Sequence, residues 1–304
     1  MAANPFYKDY ATFLSAIFGS GKVQKLSIDL GHSCPNRDGT IGRGGCIYCN
    51  NATFSPGYTA ASADVIAQLE EGKAFFARKY PQMRYLAYFQ SYTSTHGRPI
   101  AELMEQYRVA ADYPGIVGLV IATRPDCMPA ALLAGLSELN KQVPVIIEYG
   151  VESSHDATLR LVNRCHTWQQ AADAVTRTAA AGMHVGVHLI MGLPGEDRAM
   201  MLQTVRRINA LPVSTVKFHQ LQVVRGSRLA AMVEKGQMMV PVFSLADYLD
   251  LCVDLVDTLR PDIAIDRFTA QSPAQLLIAP RWGLKNHEFT ALLHKRLALR
   301  HHQP

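Results

Sequence analysis

Long runs of any single kind are missing from this chain. No low-complexity tract and no stretch of one charge sign appears, which excludes disorder for anything but the ends. The apolar runs, such as Ala11 to Phe18, are too short to cross a membrane. Met1 to Asp9 lacks the basic, apolar, small-residue order of a signal peptide, so a cytoplasmic location without membrane contact is expected. Cysteine is sparse and unevenly placed: of six, three fall between positions 34 and 49 and three are scattered. That is not the framework of a disulfide-stapled secreted domain, and it leaves reduced thiols and a metal site. The formal net charge is only +5, compatible with an anionic partner such as RNA but common among ordinary enzymes.

What is present is a chain of 304 residues, 48% of them hydrophobic, enough for two ordinary domains or one large α/β domain. Short β-rich runs at Lys25–Gly31, Arg84–Gln90, Ile116–Thr123, Pro144–Glu152, His184–Gly192 and Thr215–Val224 alternate with amphipathic stretches. The latter, at Ala63–Lys79, Arg98–Asp112, Pro129–Asn140, Thr167–Ala181 and Arg198–Leu211, predict helices. Such alternation demands right-handed crossovers and a mostly parallel sheet, either open and doubly wound or curled toward a barrel, with ligands at the strand C-terminal ends. Beyond Val224 the pattern changes: Ser227–Lys235, Ser244–Arg260 and Asn286–Arg300 read as helices and Asp262–Phe268 as a strand. The expected division is an N-terminal segment over 1–24, a core over 25–225 and a C-terminal extension over 226–304.

The first strand leads into a glycine-rich loop that places Cys34, Cys46 and Cys49 as C-x11-C-x2-C. Soft thiolates there can converge on one metal centre. Three of them can bind a four-iron cluster and leave one iron open to a ligand, which suits catalysis. The competing reading is a structural zinc site of Cys3His type with His32 as fourth ligand, and it implies a noncatalytic RNA- or protein-binding module.

The loop and its flanks, 31–40 and 44–51, closely resemble the YhcC family of radical S-adenosylmethionine (SAM) enzymes, a family similar to the radical half of the Elongator catalytic subunit. Tyr48 stands before the last cysteine, where the superfamily commonly has an aromatic residue. The resemblance implies an α/β fold, a partial (β/α)6 TIM-like barrel of the radical SAM type with a short C-terminal α/β extension. It also implies one 4Fe–4S cluster on Cys34, Cys46 and Cys49, with SAM chelated at the open iron. Reductive cleavage of the sulfonium would then yield a 5′-deoxyadenosyl radical, with flavodoxin or ferredoxin as electron donor. The substrate is unidentified: RNA by likeness to Elongator, or a small molecule or protein side chain.

Further positions carry over residue by residue. The fourth strand ends with Glu148 and Glu152, which match the family's E-x-G-x-[EQ]-S run and are expected at the cofactor's amino group or ribose; the alternative is a salt bridge across the barrel, since a buried carboxylate needs partners. Arg164 matches the arginine expected to grip the cofactor carboxylate through its planar fork. Cys165 follows where relatives carry glycine, a substitution that strains a turn of positive φ. Met191 and Gly192 are expected at the adenine. Gln90, Lys217 and His219 offer polar groups at barrel depth and are the candidate catalytic residues, although a lone histidine on a strand is more often structural. Arg124 or Asp126 is expected to face the cavity. Cys127, Cys165 and Cys252 lack the local pairing of a second cluster, and Cys252 reads as an ordinary buried thiol.

Overall fold

The structure, a computed structural model, describes residues 4–53, 59, 64–77 and 83–301. Six strands, β1 (Val23–Ile28), β2 (Arg84–Phe89), β3 (Ile116–Thr123), β4 (Val145–Glu152), β5 (His184–Met191) and β6 (Thr215–Gln220), pair in parallel in chain order. Next, β7 (Val223–Val224) leaves this sheet to pair antiparallel with β9 (Leu277–Ala279), while β8 (Ala264–Arg267) lies parallel to β6 as a seventh strand. The extension therefore contributes to the barrel wall, which six strands alone were expected to form. Likewise, β6 stops at Gln220, and Val223 beyond it is buried in a separate cluster with Ile47 of the cysteine loop and Leu229.

Helices connect and flank the strands. They comprise α1 (Tyr10–Phe18), α2 (Pro35–Asp38), α3 (Val65–Ala77), α4 (Ile100–Ala111), α5 (Ala130–Asn140), α6 (Asp156–Leu161), α7 (Trp168–Ala180), α8 (Arg198–Asn209), α9 (Arg228–Glu234), α10 (Leu245–Thr258) and α11 (Asn286–His301). Side chains of Thr167, Asp197, Ser227 and Ser244 cap the exposed backbone donors of α7, α8, α9 and α10. The outer parts of the helix expected over Ala63–Lys79, at 63 and 78–79, lie outside the described residues. Both α2 and α6 are too short for a hydrophobic period to announce them, and Pro35 at the start of α2 is their one local signal.

A parallel sheet buries both faces. Outward residues of the strands, such as Leu26, Ile28, Ile147, Val185 and Val187, form one core with the surrounding helices. Inward residues are layered. Leu86, Val120, Ile146 and Ala264 pack against Phe13 and Leu14 of α1, which closes the N-terminal end of the barrel. Above that apolar layer the interior turns polar. Laid flat, the outer strands β1 and β8 would stand roughly 29 Å apart at about 4.8 Å per strand; yet Lys25 Nζ of β1 lies 3.0 Å from Asp266 Oδ2 of β8. The sheet is curled into a partial barrel, and its two edges meet through an ion pair. No helix among the described residues is long and apolar enough to cross a membrane.

Candidate functional site

The cysteine loop leaves the C-terminal end of β1 and is fixed by backbone bonds. Cys34 O accepts from the amides of Arg37 and Asp38, at 2.7 and 3.1 Å, which starts α2, and Cys46 O accepts from the Cys49 amide at 3.1 Å. Gly44 and Gly45 both hold positive φ, 80° and 72°, where a side chain would be strained and, at Gly45, would press on Arg37 at 3.2 Å. Asn163 ties the loop to the far side of the barrel by donating to the carbonyls of Arg43 and Gly45 at 3.1 and 2.8 Å. Cys34, Cys46, Cys49 and Tyr48 all line one cavity, together with Arg124, Glu148, Glu152 and Arg164.

This donor set fits an iron–sulfur cluster. Burial, with the neighbouring sulfurs of Cys46 and Cys34, pushes the Cys49 thiol up to about 12, so the thiolate form requires a bound cation to offset the missing solvent. Two polar atoms at the cavity, the Tyr48 hydroxyl and Arg124 Nη1, are buried without any partner, as groups that face a bound polar molecule would be. His32 does not join the thiols. It is absent from the lining of the cavity that the three cysteines share, which does not favour a Cys3His zinc site there. Among the described residues, no three His, Cys, Asp or Glu side chains are grouped as ligands of a single ion; thiolates of a cuboidal cluster bind different irons and need not be.

Arg164 reaches the loop from the turn before α7. Its Nη1 lies 3.6 Å from Cys46 Sγ, its Nε donates to His166 Nε2 at 3.1 Å, and its Nη2 stands 3.3 Å from Glu152 Oε1 and donates to Gly150 O. Glu152 sits on a bulge of β4 with φ of 68°, which turns its carboxylate toward Arg164; burial raises its pKa. The turn that carries Arg164 has its left-handed residue at Cys165, φ 64°, so the conformation natural to glycine is kept despite the side chain, whose sulfur lies 3.1 Å from Asn36 Oδ1. Arg124 grips Asp126 with two bonds at 2.9 and 2.7 Å and donates to the Arg164 carbonyl at 2.9 Å. It is Arg124, not Asp126, that lines the cavity. Cys127 is buried next to Asp126, and Cys252 is buried in the α10 core.

Deeper in the barrel, Glu148 is saturated. Lys25 and Lys217 donate to it at 2.6 and 2.9 Å, the Tyr88 hydroxyl at 2.9 Å and His188 at 2.9 Å. This is the ion pair across the barrel, set earlier against a cofactor contact. Burial alone would raise its pKa, but Lys217 and Lys25 outweigh that and hold the carboxyl well below its usual range. Lys217 also faces Asp266 at 3.4 Å and is thus committed to the same network. His219 lines the cavity and burial keeps it neutral; Gln90 lines it too and donates to Ser27 Oγ at 2.7 Å. Met191 is placed differently from expectation: strand alternation sends its side chain into the outer core, and Ile190 is the β5 residue that faces the cavity. Gly192, φ 86°, packs where a Cβ would meet Phe243 at 2.6 Å, outside the cavity lining. Lys25, Tyr88, His188, Asp266 and Arg267 belong to the interior yet were not singled out in sequence, because β-alternation alone does not separate a cavity from a core.

Residues 33–208 match the model of the Radical SAM superfamily, and residues 213–298 that of the Radical_SAM C-terminal domain. Protein YhcC of Escherichia coli K12 is 38% identical over 86% of this chain and 82% of its own length. The uncharacterized protein YtqA of Bacillus subtilis is 34% identical over 91% of this chain and 85% of its own. Among solved structures, the archaeal Elp3 of Methanocaldococcus infernus superposes with a TM-score of 0.68 at 16% identity, across 93% of this chain and 64% of that one; at that identity the likeness is one of fold.

Proposed function

The chain belongs to the radical SAM superfamily, and on that premise we propose that Cys34, Cys46 and Cys49 carry its 4Fe–4S cluster and that the cavity they line is where SAM is bound for radical modification of a substrate. When bound, cluster and SAM supply a 5′-deoxyadenosyl radical by reductive cleavage, with an electron from a flavodoxin or ferredoxin. The observation that carries the assignment is the convergence of the three cysteines, Arg164 and Glu152 on one cavity at the strand C-terminal ends.

The chain's own residues then divide the work. Arg164, next to Cys46 Sγ, offers a guanidinium fork to the cofactor carboxylate, and Arg124 Nη1 adds an unused donor nearby. Glu152 accepts from the amino group or ribose. Ile190 provides an apolar wall for the adenine, in place of the Met191 side chain. Glu148 does not contact the cofactor in this reading: with its four donors it holds Lys25, Tyr88, His188 and Lys217 in place and shapes the floor. His219 and Gln90 face the substrate, and the apolar plug formed by α1 keeps water from entering below. RNA is the substrate class suggested by the Elongator likeness, with a small molecule or a protein side chain beside it.

The test is anaerobic reconstitution, metal analysis and reduction by dithionite in the presence of SAM. Iron together with 5′-deoxyadenosine supports the reading; zinc at one per chain without product overturns it.

A further inference from the structure

Inside the barrel four charges cancel. Lys25 and Lys217 pair with Glu148 and Asp266 at 2.6 to 3.4 Å. Arg267 is a fifth charge and has no counterpart: among the described residues it forms no ion pair, and its Nε is buried without a hydrogen-bond partner. The two histidines beside it do not change the balance at neutral pH. Burial pulls His188 down to about 4 and His219 well below its ordinary value, so both are uncharged and the interior holds one net positive charge.

The backbone explains how Arg267 comes to point inward. Val216 pairs with Ile265 and Lys217 with Arg267, so Asp266 is an extra residue in β8. Such a bulge breaks the alternation that would send one of two successive side chains outward. Asp266 turns to the two lysines, and Arg267 lines both the cysteine cavity and a second one. That second cavity, about 540 Å³, opens between β1 and β8 and is bordered by Lys25, Phe75, Phe76, Gln90 and Lys217. Its size suits a small organic ligand, for which sites run about 300–1,000 Å³.

A guanidinium in no ion pair, with a buried and unpartnered Nε, is matched by a planar or trigonal oxyanion, which it can grip with two parallel hydrogen bonds. We propose that Arg267 binds the carboxylate or phosphate group of a small substrate admitted between β1 and β8, and so turns its reacting carbon toward the cysteine loop. What the loop does to that carbon rests on the radical SAM reading. The site itself rests on the bulge, the unpaired charge and the shared cavity. It is separate from the cofactor end, where Arg164 and Arg124 stand.

Calorimetric titration of the reconstituted, oxidised protein separates the two readings. SAM is added first; absence of SAM binding counts against the proposed function and says nothing of Arg267. With SAM saturating, or without it if it does not bind, inorganic phosphate and acetate are titrated as probes. Saturable binding of phosphate identifies a phosphate-bearing substrate, and of acetate a carboxylic acid. In either case Arg267→Gln is expected to weaken the binding at least tenfold. Should that variant not fold, Arg267→Lys, which keeps the charge but loses the fork, is expected to weaken it several-fold. Failure of both probes to saturate, or binding by the folded variant equal to that of the unchanged protein, overturns the proposal.

Discussion

Nη1 of Arg164 stands 3.6 Å from the sulfur of Cys46, across 118 positions of chain. The contact joins the turn between α6 and α7 to the loop after β1, and it places a fixed positive charge beside a ligand of the proposed cluster. Arg164→Ala is therefore expected to lower SAM affinity at least tenfold, in line with the roughly 1.5–3 kcal/mol of a hydrogen bond to a charged group, while iron per chain stays unchanged. Equilibrium dialysis alongside iron analysis checks this, and undiminished SAM affinity would reject the role.

Cys49→Ala is expected to abolish cluster incorporation and 5′-deoxyadenosine formation together. The relevant readouts are iron content, the brown colour of the reconstituted protein and product analysis. Full iron occupancy with continued product formation in this variant would remove Cys49 from the site.

The interior network makes a different demand. Removing the Glu148 carboxylate leaves Lys25 and Lys217 buried with only Asp266 between them. Glu148→Ala is expected to cost about 3–5 kcal/mol, as broken buried pairs do, seen as a lower urea midpoint. A shift within about 0.5 kcal/mol, typical of uncoupled surface sites, would contradict the network's role.

Acid should weaken the protein in two stages. Burial and then Lys217 pull His188 down to about 4, so between its ordinary value of 6.5 and about 4 the unfolded chain binds a proton that the folded chain does not, and stability falls as pH drops through that window. Asp266 continues the fall. Burial opposes its ionisation, but Lys217 and Lys25 outweigh it and bring the carboxyl from 3.8 to about 2, so its contribution is complete above 3.8 and lost as pH falls toward 2. Urea midpoints across pH check both stages; buried His219 and His166, also held below their ordinary range, share the upper one, so His188→Asn is expected to reduce that stage without abolishing it.

Much of this was readable from local pattern. The alternation of β-rich and amphipathic runs determines six strands and their crossover helices, with Ile116–Thr123 the same in sequence and structure. The cysteine spacing, with Tyr48 and Arg164, points to residues that do line one cavity, because metal-ligand motifs and helical periods are properties of short stretches. Cys165 shows the limit of such reading: its side chain argued against a left-handed turn, yet the turn is there, φ 64°, within a loop held at both ends.

Local pattern therefore settles the order of the elements and which loop carries the thiols. Tertiary structure alone decided which polar residues meet. Lys25 contacts Glu148 across 123 positions and Asp266 across 241, because the sheet curls until its first and last strands touch. Met191 and Ile190 exchange roles through strand direction, and Arg267 faces the cavity through one extra residue in β8. Each depends on register and curvature, which arise only when distant strands pair and which no short window of residues contains.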